Sequence, residues 1–278
     1  NRRLIEEKSA GVIIGSVSSQ EVADDAAEGA DVVFHLAAAQ HEMNVPDKHF
    51  TDVNVEGTRN MLEASIKAGV KRFVHGSTIG VYGEMEGVID EHTPTNPDNI
   101  YGKTKLEGER LVLSHKDRLS VVVIRIPETY GPGDRRLLKL FRGIDRKMFF
   151  MIGRGENLHH LIYVDDLIEA FLKAAASDEA PGEVFLVAGK DPVTTNEMVE
   201  TIADTLGKKI PGFRAPLFMF MTAALIMEKT LRPLRIQPPL HRRRMDFFRK
   251  SFRYKLDKAR DVLGFEGRTD FRDGTKET

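Results

Sequence analysis

The chain holds 278 residues, 41% apolar and 30% charged, with a formal net charge of −1. That length suffices for one large or two modest domains with a sizeable core, and the near-neutral balance gives no general pull towards nucleic acid. Cysteine is absent, which excludes disulfides, thiolate metal sites and a cysteine nucleophile and is compatible with a reducing cytoplasm. The opening residues NRRLIEEKSA carry no apolar core of the signal-peptide kind. The longest apolar stretch, Ala215–Met227, falls short of the roughly 20 residues that cross a bilayer.

In chain order, Gly11–Gly15 (GVIIG) predicts a short buried strand and Glu21–Gly29 a short helix. Asp31–Leu36 predicts a second strand, running into Ala37-Ala38-Ala39, with His35 inside it as a core histidine. Thr51–Gly69 has a helical pattern that turns Val55, Met61, Leu62, Ile66 and Ala68 inward and stops at Gly69. Arg72–His75 predicts a third strand that breaks at Gly76-Ser77-Thr78; Asn99–His115 predicts a helix and Ser120–Ile126 a fourth strand. Pro127–Gly133 is turn-rich. Beyond it come a strand at Leu161–Val164, a helix capped by Asp165, a strand at Glu183–Val187 and a helix at Thr195–Leu206. Apolar strands alternating with helices imply an α/β fold, a parallel sheet covered on both faces. Ligands of such sheets lie beyond the carboxyl ends of the strands, where Ala37, Thr78 and Pro127 fall.

Tyr101 and Lys105 stand four apart, one turn from each other on one helix face. A free phenol titrates near pH ~10 and is a poor base at neutral pH. A neighbouring ammonium favours phenolate and lowers that pKa. With a hydroxyl at the mouth of the preceding strand, the pair suits proton exchange with an alcohol while a nicotinamide carries hydride. By itself Tyr-x-x-x-Lys in a Lys-rich chain reads equally as a solvated helix face.

Thr78 lies 23 residues before Tyr101 and is followed by Val81-Tyr82-Gly83. Together these residues resemble the extended short-chain dehydrogenase/reductase family, which contains nucleotide-sugar epimerases and dehydratases and the 3β-hydroxysteroid dehydrogenases. The resemblance implies a Rossmann-like doubly wound parallel sheet with a smaller mixed α/β substrate-binding part. It places NAD or NADP on residues 1–147 and substrate mainly on residues 148–278, some of whose elements return to the first part. It makes Thr78, rather than Ser77, the catalytic hydroxyl beside Tyr101 and Lys105. DVVFHLAA and NVEGTRNMLEA extend the likeness. Leu36 and the small Ala37, Ala38 and Ala39 would let cofactor pass close to backbone, and Asn54 would hold the helix and the active-site strand in register. Ser77, Tyr101 and Lys105 would also face the cofactor, as would Pro127 and Thr129 of the loop that meets the carboxamide. Thr78 and Glu128 would meet substrate. The YVDD segment from Tyr163 and the Leu256–Phe265 stretch are further landmarks of the family, so the likeness covers nearly the whole chain.

Two departures stand out. The glycine-rich strand-turn-helix that meets a pyrophosphate is not found. Gly80, Gly83 and Gly87 lead into acidic residues and prolines, and Gly153-x-Gly155 precedes a strand. The likeness starts just after the family's second strand, so a β-α-β unit of about thirty residues or more is expected ahead of Asn1, and the last helix is expected to run past Thr278. Gly11–Gly15 then lacks a neighbour for its backbone groups. Ser16, the second departure, stands where the family usually places an Asp against the adenine amino group. Arg2 and Arg3 read as a solvated terminus or as partners for a 2′-phosphate.

In the second half, Ala215–Met227 is apolar nearly all round, with Pro216 suited to a first helical turn. Leu231–Lys255 carries nine basic residues against one acidic, with Met245, Phe248 and Phe252 at helical spacing. It reads as a helical lid with a basic face, as a site for a diphosphate-bearing substrate, or as a membrane-surface patch for a lipid substrate. Where many nucleotide-sugar enzymes of the family carry a diphosphate-gripping Arg, this chain has His159, a weaker donor. Arg154, Arg232 and the Arg242–Arg244 run are placed to supply the charge. The expected function is therefore NAD(P)-dependent epimerase, dehydratase or oxidoreductase chemistry on a nucleotide sugar, in the cytoplasm, with no nucleic-acid partner, no transmembrane segment and no metal. Oxidation or reduction of a sterol-like alcohol is one alternative, and a catalytically silent nucleotide-binding relative is another. A homodimer is expected through Thr51–Gly69 and Asn99–His115, where Leu106, Leu111 and Leu113 serve that contact or the core.

Overall fold

Four parallel strands build the central sheet in the spatial order β1 (Val32–His35), β2 (Arg72–Thr78), β3 (Val121–Ile126), β4 (Val184–Leu186). The computed structural model of the chain describes residues 10–40, 45–84, 87–231, 240 and 245–278. Arg2, Arg3, Arg232 and the Arg242–Arg244 run lie outside the described residues. Pairing is in register, with Val33 opposite Phe73, Phe73 opposite Val121 and Val123 opposite Val184. Alternate side chains leave the sheet on opposite faces. Val33, Phe73, Val121 and Val123 pack against α1 (Gln20–Ala27), α2 (Gly57–Ala68) and α3 (Ile100–Ser114). Val74, Val122, Ile124 and Phe185 pack against α4 (Val164–Ala176) and the helix Asp257–Leu263. Both faces of β2 and β3 are largely dry, whereas on the outer strand β1 Val32 and Phe34 stand 36% and 39% exposed.

Several expectations change. Gly11–Gly15 forms no strand, and Ile13 and Ile14 stand 53% and 73% exposed. Among the described residues β1 pairs with β2 alone, and Gly11–Gly15 does not take up its other edge. Thr51–Gly69 is not one regular helix: Asp47–Thr51 is α-helical, Asp52–Glu56 is a π turn, and α2 follows. Ala68, in its last turn, is exposed. Asp165 does not cap α4; Tyr163 holds that position, and both Asp165 and Asp166 sit in the first turn. Asp166 instead accepts hydrogen bonds from the Thr269 amide at 3.0 Å and its hydroxyl at 3.0 Å, tying the C-terminal segment to α4. Met245, Phe248 and Phe252 share no helix. Asp246–Phe248 is a single 3₁₀ turn, and Arg253–Tyr254 is drawn out as a parallel strand beside Val88–Ile89.

The second half adds α5 (Thr195–Thr205), started by a Thr194/Glu197 capping box, and α6 (Leu217–Leu231). Met198, Val199 and Ile202 of α5 pack with Tyr130, Ile144 and Met151 in a core of their own. Leu106 is buried, and Leu111 and Leu113 pack partly buried on the core beneath α3, so these leucines serve the core.

Two close backbone approaches lie under α3. A Cβ on Gly102 would fall 2.5 Å from the Gly80 carbonyl oxygen, and one on Gly108 would fall 2.7 Å from that of Asn54. Only glycine lets the helix axis come this near to neighbouring backbone. Gly108→Ala adds helix propensity worth about 1 kcal/mol but must push two backbone segments apart, at about 1–3 kcal/mol. A lowered denaturant midpoint is the expected outcome, and an unchanged or raised midpoint contradicts the close approach.

Candidate active site

Strand β2 delivers Thr78 to the carboxyl edge of the sheet, where its Oγ1 accepts the Gly80 amide at 3.1 Å and starts the 3₁₀ turn Ile79–Tyr82. Asn99 caps α3 by accepting the Gly102 amide at 3.0 Å. With Gly102 against Gly80, the first turn of α3 sets the Tyr101 phenol beside the Thr78 hydroxyl. Burial pushes the Tyr101 pKa up; the Thr78 hydrogen bond and the Arg136 charge oppose that rise without cancelling it.

Lys105 departs from expectation. Its ammonium, 1% exposed, donates to the Gly76 carbonyl at 2.6 Å and lies 3.5 Å from His75 Nε2. Burial lowers its pKa to about 8, against the upward pull of Glu109. The charge that lowers the Tyr101 pKa is that of Arg136. The phenol is therefore above, not below, its ordinary value. His75 is fully buried and stacks on His35 at 5.4 Å, and His35 Nε2 meets Thr58 Oγ1 at 3.0 Å. Burial first, and the Lys105 charge second, push both imidazoles down, His35 to about 3. Both are neutral at physiological pH. His35 is the core histidine its place in the strand suggested.

Beneath Thr78 lies a buried charge network that sequence reasoning missed. Arg125 of β3 forms an ion pair with Glu109 of α3, with both side chains under a tenth exposed. Ser77 Oγ donates to Glu109 Oε2 at 2.8 Å, so that hydroxyl is committed inward. Arg125 also donates to the Tyr82 hydroxyl at 2.8 Å, which donates in turn to the Asp90 carbonyl at 2.8 Å. Glu109 follows Lys105 by four residues and shares its helix face, a spacing that contained the signal.

Asn54 sits in the π turn, a rare geometry frequent at functional sites. Its Oδ1 accepts the Ala39 amide at 2.8 Å, and its Nδ2 donates to the Ala39 carbonyl at 3.0 Å and to Thr104 Oγ1 at 2.9 Å. One amide thus ties the loop after β1 to α3. Along that loop Leu36 and Ala38 are exposed, Ala37 is half-buried and Ala39 is buried. Ser16 is exposed in the turn before α1. Pro127 is buried, and the Thr129 carbonyl accepts Arg136 Nη2 at 2.6 Å. Arg136, absent from the sequence-based set, thus stands between that loop and Tyr101.

On the other side, a cleft of about 520 Å³ opens from Ile79, Gly80 and Asn99 towards Met221 and Glu228 of α6. Its basic residues are already engaged: Arg249 pairs with Glu84 at 2.7 Å and with Asp246 at 3.1 Å, and Lys250 lies 3.4 Å from each of these carboxylates. His159 is 3% exposed, bonded to Thr195 Oγ1 at 2.9 Å, with Nδ1 3.8 Å from the half-exposed Glu128. His160 acts as a fastener, accepting the Tyr254 amide at 3.1 Å and donating to the Gly189 carbonyl at 2.9 Å. Arg154 is exposed, pairs with Glu156 at 2.9 Å, and lines a separate groove with Arg214 and Phe218.

The Lys105 shift has a pH signature. The folded chain releases this proton near pH 8, while the unfolded chain keeps it until about 10.5. Between those values the folded state binds fewer protons, so this residue's contribution to stability rises with pH. The stability difference between wild type and Lys105→Met should therefore move in favour of wild type from pH 8 to 10.5 and be flat below 8. Parallel denaturation series check this, and a pH-independent difference contradicts the burial of a charged Lys105.

The chain is 34% identical over 209 residues to the N-acetyl-alpha-D-glucosaminyl-diphospho-ditrans,octacis-undecaprenol 4-epimerase of Escherichia coli O157:H7, covering 73% of this chain and 63% of the relative. It is 30% identical over 272 residues to the 3beta-hydroxysteroid-dehydrogenase/decarboxylase isoform 2 of Arabidopsis thaliana, covering 90% of this chain and 48% of that protein. The chain thus spans between about half and just under two thirds of the length of these curated relatives. Among solved structures it superposes on MoeE5 in complex with UDP-glucuronic acid and NAD with a TM-score of 0.75 and 27% identity, covering 96% of this chain and 83% of that one. The fold is the Rossmann-like one of such proteins. The profile of the NAD dependent epimerase/dehydratase family matches residues 2–188, and the chain belongs to that family.

Proposed function

We propose that the chain is the catalytic part of a nicotinamide-dependent enzyme that epimerises, dehydrates or oxidises a sugar carried on a diphosphate. The observation that carries this reading is the Tyr101 phenol held against the Thr78 hydroxyl at the carboxyl edge of the sheet. The residues present fit a dinucleotide: the side chains after β1 are small, Asn54 fixes that loop, and Pro127 and Thr129 line the next strand end. In this reading residues 1–147 hold NAD or NADP and residues 148–278 mainly hold substrate. When bound, the nicotinamide accepts or returns the hydride.

The chain's own residues manage the proton. Thr78 donates to or accepts from the substrate oxygen while its partner Tyr101 exchanges the proton. At neutral pH Tyr101 is a neutral phenol, ready as an acid; as a base it needs a positive charge brought beside it. Arg136 supplies part of that charge. Lys105 supplies more only by releasing the Gly76 carbonyl, 2.6 Å away, and turning outward. Arg249 and Lys250 grip a diphosphate by exchanging Glu84 and Asp246 for it. Half-exposed Glu128, with the buried His159 3.8 Å behind it, is the side chain of that pair left to meet the sugar.

The reading extends to a homodimer in a reducing cytoplasm. The outer faces of α2 and α3 present Arg59, Glu107 and Arg110, a mixed-charge surface that a two-fold copy meets with opposite signs. Light scattering at micromolar concentration should give the dimer mass, and a monomer removes this part of the proposal.

The test uses the protein together with NAD(P). A nucleoside diphosphate sugar or a polyprenyl diphosphate sugar should raise its melting temperature and be turned over. Tyr101→Phe should lower turnover by about 10²-fold or more with cofactor affinity within a few-fold. Wild-type turnover in Tyr101→Phe sinks the acid–base assignment. A response to sterols and to no diphosphate sugar moves the substrate to the hydrophobic alcohols, and binding without turnover of any of these marks a silent relative.

A further inference from the structure

We propose that the outward face of α6, with Phe150 and Phe213 beside it, is a docking surface for an anionic lipid bilayer. The helix has two apolar sides. Leu217, Phe220 and Met221 pack inward on Ile152, Ala215 and Met245. Phe218, Met219, Leu225 and Ile226 point the other way and stand 71%, 55%, 47% and 58% exposed. Phe218 and Leu225, like Met219 and Ile226, stand seven apart, two turns along one face, with Thr222 between them and Lys229 a turn beyond Leu225. At the edge of the helix, Phe150 packs its ring 6.0 Å from Phe213 and 5.9 Å from the inward Phe220, adding a second apolar cluster beside the stripe. Phe213 and Met148 are more than three-fifths exposed. Single exposed apolar residues are ordinary, whereas a contiguous set marks a surface that something covers.

Charge selects the occupant. The segments that carry these side chains also carry exposed Arg146, Lys147, Lys209, Arg214 and Lys229. The nearby acids Asp145 and Glu156 are taken by Lys208 and Arg154. A second copy of this face would set like charges against each other, while an anionic leaflet meets them with opposite charge. Aromatic and Met anchors beside Lys and Arg are the make-up of an interfacial helix. At 15 residues α6 is too short to span a bilayer, and no described helix is long and apolar enough to cross one.

The same helix reaches the candidate active site. Met221 and Glu228, on its inner side, line the cleft that runs to Gly80 and Asn99. Docking by the outer stripe sets that cleft beside the headgroup layer, the place from which a substrate with a polar head and a hydrocarbon tail enters. This last clause rests on the diphosphate-sugar reading; the docking itself does not.

The test is co-sedimentation of the full chain with phosphatidylcholine vesicles, with and without phosphatidylglycerol, in the absence of substrate. Binding should require phosphatidylglycerol and weaken with salt. The pairs Phe218→Ser/Ile226→Ser and Lys209→Glu/Lys229→Glu should each weaken it by about tenfold or more. These side chains are exposed, so circular dichroism and melting temperature should stay at wild-type values. No binding by wild type, or binding that both pairs leave intact, overturns the proposal. A wild-type dimer that becomes monomeric in Phe218→Ser/Ile226→Ser, with vesicle binding unchanged, also overturns it and gives the face to a second copy.

Discussion

The site depends on one close approach: α3 lying against the backbone that follows β2 and against the π turn before α2. Gly102 and Gly108 permit it, and Asn54 locks it, since its single amide holds the Ala39 peptide and the Thr104 hydroxyl together. Thr104 itself donates back to the Ile100 carbonyl at 2.9 Å, so the tie reaches the turn that carries Tyr101. Thr78 and Tyr101 arrive from elements far apart in the chain, and their contact follows from this docking.

Below the contact, the protein holds charge where an apolar core would do for folding alone. A buried Arg–Glu pair contributes little net stability, because desolvation offsets most of the attraction. Here the pair is joined to Ser77, Tyr82 and the Asp90 carbonyl and sets the floor under Thr78. Lys105 stands above it with its pKa drawn down to about 8 by burial. With the ammonium held on the Gly76 carbonyl, burial leaves the Tyr101 phenol above its ordinary pKa.

Much of this was legible in the residues. The strands at 32–35 and 121–126 read from their apolar runs and Arg72–His75 as a third, which runs on through the break expected at Gly76-Ser77-Thr78, and Asn99 and Gly69 mark helix ends as local rules dictate. Thr78 and Tyr101 were legible because a hydroxyl at a strand end and a phenol in a helix's first turn need no long-range information. Gly11–Gly15 misled because apolar content alone does not make a strand when the segment pairs with no neighbour among the described residues, and here it leaves Ile13 and Ile14 exposed. The direction of Lys105 was not legible: its helix position suits either Tyr101 or the Gly76 carbonyl, and the buried His75 and Glu109 decide between them. Arg136 and Arg125 were missed since their partners lie on other elements, at spacings no local pattern encodes.

The central claim is that Tyr101 rests as a neutral phenol governed by burial and Thr78, with the Lys105 ammonium turned towards Gly76. The pKa of Tyr101, read by NMR of ring-labelled tyrosine in the cofactor-free chain and assigned with Tyr101→Phe, tests this most directly. The account predicts a value above the ordinary 10.0, nearly unmoved by Lys105→Met. A value below 10.0 that climbs when Lys105 is replaced would place the ammonium against the phenol and contradict it.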